Sequence, residues 1–326
     1  MATNLSKPSP LRTGRYKTTT KMFFTASKLL EAQITEIFDN IWPIVTAIKN
    51  LRWQVQGYYK EYDNDIKSNA DLTKKFVENK DKSNRPNLYR ICISESWENQ
   101  EFYIAQNLLT NIFACYENWA EGILATLQVD PKLSKKLQFP NEYQPLLTSM
   151  QANGNPILID SFYDIYKNSN KNYNLGHLQN YLFYYRYFKE CRNSIIHTGG
   201  TTTANLITAY NNIKNLQKED IDVNEIPETF ETDLDNPMRI SLRGVVGFSQ
   251  LILKIVSTFD VEFITCQHAD EYFCNRIKEE FSKVYPTSTL QNRPKEVLHV
   301  VQKGRFKKPE KPLPLYDLLK NNNIMR

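Results

Sequence analysis

The stretch Glu98–Leu127, ENQEFYIAQNLLTNIFACYENWAEGILATL, decides the fold class. Apolar side chains stand at Phe102, Ile104, Ala105, Leu108, Leu109, Ile112, Phe113, Tyr116, Trp119, Ala120, Ile123 and Leu124. Nearly every i, i+3, i+4 step is filled, which is the period of a helix and not the alternation of a strand. Apolar residues spread over so much of the helix circumference that it must be covered on several sides. The spacing predicts a long central helix around which other helices pack.

Working outward, the same period recurs. From about Phe23 to Lys60, apolar residues at Leu29, Leu30, Ile34, Ile37, Phe38, Ile41, Ile44, Val45 and Ile48 predict a helix that Pro43 should kink or break. A second, polar helix is expected from Asp63 to Asn79, which makes a helical hairpin. Residues 129–157 carry Pro131, Pro140, Pro145 and Pro156 and read as a loop-rich insertion. Leu178, Tyr181, Leu182, Tyr185, Phe188 and Cys191 form one stripe of a helix from about Leu175 to His197. Its aromatic run, Tyr181 to Phe188, reads as core or dimer interface more readily than as a base-stacking platform. Short helices are expected over Ala204–Leu216 and Ala269–Val284, and a longer apolar one over Arg239–Phe263. The division that follows is a flexible arm over 1–21, a hairpin over 22–90, a helical domain over 91–285, and a flexible basic tail with prolines over 286–326. The fold class is all-α.

Composition agrees. The chain has 326 residues and only 10 glycines, which favours helices over turn-rich β architecture. A formal charge of +5 permits a nucleic-acid partner without demanding one. The five cysteines show no CxxC spacing, and four of them sit in apolar or helix-like contexts that suit reduced, buried thiols, which predicts a cytoplasmic protein. No signal-peptide core and no stretch of membrane-spanning length is read, so no membrane partner is expected. Cys266, His268 and Cys274 have the wrong spacing for zinc, and no metal or other cofactor is expected.

The chemistry concentrates in Cys191-Arg192-Asn193-Ser194-Ile195-Ile196-His197-Thr198-Gly199-Gly200. Arg carries a planar fork of donors that matches a phosphate. His moves protons near neutral pH. The same residues also suit an ordinary helix ending, with cations against the dipole and glycine as the left-handed cap. A second Arg-to-His spacing, Arg293 to His299, is set aside because Pro294 disfavours a helix there.

Arg192-Asn193 followed by His197, closing an apolar helix of an all-α domain, resembles the signature of the HEPN superfamily of ribonucleases. The resemblance covers roughly residues 95–263. It implies a HEPN-like bundle and a metal-independent endoribonuclease. Arg192 would hold the phosphate, His197 would transfer the proton, and Asn193 would bond the phosphate or orient the imidazole. Glu117, or its rival Glu121 one turn on, would set the position of Arg192. It further implies a homodimer whose two motifs meet, RNA as substrate, and a role as toxin or effector in prokaryotic defence, with a regulatory or antitoxin protein as partner. Arg305, Lys307 and Lys308 in the tail are weaker candidates for RNA contact. Two other readings stand beside this one: a catalytically silent helical module that binds RNA or protein, and a scaffolding or toxin-neutralising partner.

Overall fold

The computed structural model describes residues 21–62, 68–77, 86–281, 283–287 and 289–326. The arm expected over 1–21 lies, apart from Lys21, outside them, as do parts of the expected second hairpin helix and the segment after it. The described residues are helical, with no strand among them beyond two isolated bridges.

Helix α1 runs Thr25–Tyr62 and continues through Pro43, and α2 is the short Asn69–Phe76. A π-helix, Tyr89–Ser94, leads into the central α3, Trp97–Thr126, whose N-cap Ser96 accepts the Asn99 N–H at 3.2 Å. Then come α4 (Tyr143–Gln151), α5 (Pro156–Ser169), α6 (Leu178–His197), α7 (Ala204–Ile213) and α8 (Leu242–Glu262). Last are α9 (Ala269–Lys278), α10 (Arg293–Lys303) and α11 (Pro312–Asn321).

Helix α3 packs against α1, α6 and α8, and α6 packs against α7 and α8. Leu108, Leu109, Ile112, Phe113, Tyr116, Ala120, Ile123 and Leu124 of α3 are buried. Each fully buried large side chain contributes about 1.5–3 kcal/mol relative to exposure, so this helix anchors the core. The aromatic run of α6 is core: Phe113 meets Tyr185 at 5.1 Å, Tyr116 meets Tyr185 at 4.7 Å, and Phe188 stacks on Phe248 at 4.5 Å. The α1 end is fixed from α8. The buried Asp260 carboxylate accepts the backbone N–H groups of Phe23 at 2.6 Å and Phe24 at 3.0 Å.

Three expectations need correction. Residues 129–157 are not loop-rich: they hold a 3-10 helix, Pro131–Gln138, together with α4 and the start of α5. Pro131 and Pro156 sit in first turns, where no helical N–H partner is lost. Nor is the segment from 286 on a flexible tail. Pro294 opens α10 and Pro312 opens α11. Val297, Val300 and Val301, like Leu315, Leu318 and Leu319, form stripes buried against the body. This also removes the ground on which the Arg293–His299 spacing is set aside, since both residues lie on α10; there the Arg293 guanidinium covers the Tyr316 ring at 4.5 Å. Third, one stretch does reach membrane-spanning length and apolarity, Leu242–Thr265, but 72% of its apolar window is buried inside the protein as the α8 core.

Candidate functional site

The C-terminal end of α6 carries the candidate residues. Its last turn closes on Ser194, whose carbonyl accepts the Thr198 N–H at 3.1 Å and the Gly200 N–H at 2.9 Å. Gly199 (φ +63°) and Gly200 (φ +88°) are both left-handed. Open space surrounds the Cβ position at each, so backbone conformation and not crowding requires glycine there. The following chain is tied down: Met238 N–H donates to the Gly200 carbonyl at 2.8 Å, and Thr202 N–H to the Asn236 carbonyl at 2.8 Å. The turn after His197 is therefore held from the 232–238 segment.

Arg192 and Asn193 are half-buried, and His197 is exposed. Arg192 Nη1 lies 3.5 Å from Asn193 Oδ1, a long contact, and its Nε is buried without a partner among the described residues. No hydrogen bond joins the His197 ring to a described residue. Arg192 and His197 are five positions apart, ~140° around the axis at ~100° per residue, so one helix does not close them on a common atom. They lie in the last two turns of α6, with the half-buried Asn193 and the exposed Ile196 between them.

Glu117 projects from α3 on the side of α6. Its charge and that of Arg192 both act on the Tyr185 hydroxyl, which burial pushes well above the usual phenol range. Glu117 thus sits in the electrostatic neighbourhood of Arg192, without an ion pair between them. Glu121 is exposed and makes no recorded contact with the motif.

Sequence reasoning missed two cations here. Arg186 bonds Glu190 at 2.6 Å and lies over the Phe139 ring at 5.0 Å. Lys189 donates to Gln138, and burial lowers its pKa against the pull of Glu117. Arg186, Lys189 and Arg192 recur at three-residue spacing along α6, all half-buried. The spacing was the available signal, overshadowed by the aromatics between them. Gln138 ends the 3-10 helix that also carries Lys132, Lys135 and Lys136, so α6 and this helix form one basic neighbourhood.

The tail candidates fall elsewhere. Arg305 Nη2 is 3.8 Å from Glu280 Oε1, and Lys307 lies over the Tyr166 ring at 5.0 Å and bonds Ser169. Only Lys308 of the three is exposed. Arg305 and Lys307 are engaged within the body, against α9 and α5, because the segment they occupy is packed.

No family model, curated protein or solved structure matches this chain. The site therefore rests on its own geometry. Among the described residues, no group of three or more His, Cys, Asp or Glu side chains gathers closely enough to hold a metal ion.

Proposed function

We propose that this chain is a HEPN-like, metal-independent endoribonuclease whose working site forms where the α6 faces of two copies meet. The observation that carries this reading is the state of the motif. Among the described residues the Arg192 Nε is buried without a hydrogen-bond partner, and the exposed His197 ring, five positions on, has none either. Arginines and histidines that serve only structure are normally paired or packed. A second copy related by a two-fold axis would bring the partner's motif toward this one, which overcomes the ~140° separation on a single helix.

The chemistry needs only these groups. The RNA 2′-hydroxyl attacks the adjacent phosphorus while His197 takes its proton. The guanidinium of Arg192 holds the phosphate and stabilises the charge growing on its oxygens. The P–O5′ bond breaks, and the leaving oxygen takes a proton, from a second histidine or from water. The products are a 2′,3′-cyclic phosphate and a 5′-hydroxyl. Asn193, in contact with Arg192, orients the phosphate. Glu117 holds the electrostatic position of Arg192 through the cluster around Tyr185. The basic neighbourhood of Arg186, Lys189 and the 3-10 helix lysines gives the RNA backbone a path to the site. A role in prokaryotic defence, regulated by a partner protein, completes the reading through the superfamily resemblance.

The second reading is an RNA- or protein-binding module with no catalysis. It is favoured by the absence of any Arg192–His197 contact within one chain. One assay separates them: purified protein with structureless RNA in EDTA, beside His197→Ala. Cleavage by the wild type alone, leaving a cyclic phosphate, supports the nuclease. RNA bound equally by both proteins and cut by neither supports the binding module. Equal cutting by both removes His197 from the mechanism.

A further inference from the structure

Away from the α6 face, a cavity of about 490 Å³ lies between the second half of α1, the π-helix Tyr89–Ser94 and the first turns of α3. Its walls are mainly apolar, with Ile48, Leu51, Leu88, Ile91 and Ile104 among the lining, and Asn87, Arg90, Glu95, Gln100 and Tyr103 supply the polar part. The volume falls in the range of small-molecule sites, which are mostly apolar with a few placed polar groups. The π-helix shapes one wall. Its wider i→i+5 coil is rare and recurs at functional sites. Here it turns two carbonyls to outside donors: Ile91 accepts from Arg52 and Gln100, and Cys92 accepts from Gln56 Nε2 at 2.7 Å.

Gln100 supplies a second, independent observation. It lines the cavity and is only 8% exposed. Its nitrogen donates to the Ile91 carbonyl, which fixes the orientation of the amide, since only the nitrogen end can donate. Its oxygen is left buried with no donor among the described residues. A buried acceptor without a donor is unfavourable, and among the described residues neither Asn87, Arg90 nor Tyr103 of the lining donates to it. The remaining charged groups at the cavity offset each other: Glu95, 17% exposed, stands 4.0 Å from Arg90 Nε. A ligand anion would meet the Glu95 carboxylate, whereas a neutral donor would not.

We propose that this cavity binds a small, neutral, mainly apolar molecule that offers one N–H or O–H to Gln100 Oε1. Such a ligand would fill the space between two hydrophobic clusters. One is the cluster of Val55, Leu72, Leu88 and Cys92 from α1, α2 and the π-helix segment, and the other is the main core, reached through Ile104. It would thereby tie the hairpin to the body. The inference stands whether or not the α6 face cleaves RNA.

The probes are 2-naphthol, which carries one donor, and 2-methoxynaphthalene, which carries none, titrated into the full chain by calorimetry. One saturable site per chain is expected for 2-naphthol, with the methyl ether about tenfold weaker, the loss of one hydrogen bond to a buried acceptor. Gln100→Leu should bring the two probes within about twofold of each other; in that variant Arg52 still serves the Ile91 carbonyl. Ile104→Trp and, from the opposite wall, Leu51→Trp should each abolish binding with the helical circular dichroism unchanged. Having both variants covers the case in which one fails to fold. Absence of saturable 2-naphthol binding up to its solubility limit overturns the proposal. So does equal affinity of the wild type for both probes, or undiminished binding in the folded tryptophan variants.

Discussion

Asp260 of α8 and Phe23, just ahead of α1, are joined by a hydrogen bond of 2.6 Å from the Phe23 N–H to the buried carboxylate. Burial raises the Asp260 pKa to about 6, against the lowering effect of the N–H donors and Lys28. Burial also lowers the Lys28 pKa to about 8, against the pull of Asp260. The sign follows from which state binds the proton more tightly. Between about pH 4 and pH 6 folded Asp260 holds a proton that the unfolded chain has released, so stability falls as pH rises. Between about pH 8 and pH 10 the unfolded chain holds the lysine proton more tightly, so stability climbs with pH. The contribution of this pair is therefore lowest between these windows, where both groups are charged and buried. Urea midpoints across pH should show the acid-side slope in the wild type and a flattened slope in Asp260→Asn. An unchanged slope in that variant assigns the effect to other groups.

On the proposed ribonuclease reading, His197→Ala is expected to lower RNA cleavage by about 10²–10⁴-fold, the usual contribution of a general acid–base group. Because His197 is exposed and unbonded, the same change should leave stability within about 0.5 kcal/mol. Arg192→Ala should lower cleavage comparably, and Arg192→Lys should not rescue it, since the planar fork is lost. Single-turnover cleavage and thermal melts on the same preparations check both halves.

Light scattering at micromolar concentration should give twice the chain mass if two α6 faces build the site. Ile196, 47% exposed beside His197, is the apolar residue most suited to that contact. Ile196→Asp should yield monomers with intact circular dichroism and little cleavage. A fully active monomer would sink the composite site.

Gly200→Ala is expected to cost about 1 kcal/mol, because an L-residue is forced into the left-handed region. Gly199→Ala should behave likewise. Denaturant midpoints measure this, and cleavage should fall more than stability alone explains, since the turn sets the ending of α6 behind His197.

Phe306→Ala tests the C-terminal packing. The ring is buried and lies 4.9 Å from both Phe23 and Phe273. Truncation should destabilise the whole protein by about 3–5 kcal/mol, whereas Lys308→Ala, two positions on and exposed, should change it by less than about 0.5 kcal/mol. A neutral Phe306→Ala in equilibrium unfolding would return the segment to the status of a loose appendage.

The long helices were legible because their apolar residues repeat often enough to overwhelm local noise. In α3, α6 and α8 the pattern runs over five turns or more, and the all-α class follows from them. The C-terminal helices were not, for two physical reasons. One offers only three buried residues and the other four, and their prolines look like breakers until the first-turn position is known. At the site, Arg192, Asn193 and His197 could be picked out by type and spacing. Their separate environments could not, because burial of the Arg192 Nε depends on how α3 and α6 pack. Lys189 was hidden for the same reason: its partner Gln138 lies on another element. Nor could the cavity beside Gln100 be read from the chain, since it is made by three elements and a widened turn that no residue pattern announces.

The aromatic cluster of Phe23, Phe162, Phe273 and Phe306 has a consequence for synthesis. Lys28 donates to the Arg305 carbonyl across a separation of 277 residues, so the start of the first helix is not fully covered until the segment near residue 306 has left the ribosome. Until then its aromatic end stays uncovered, a long-range closure of the kind that slows folding. A nascent chain of this protein would therefore hold helix α6, with Arg192 and His197, before the scaffold beneath it is shut. The segment around residue 306 would act as the latch.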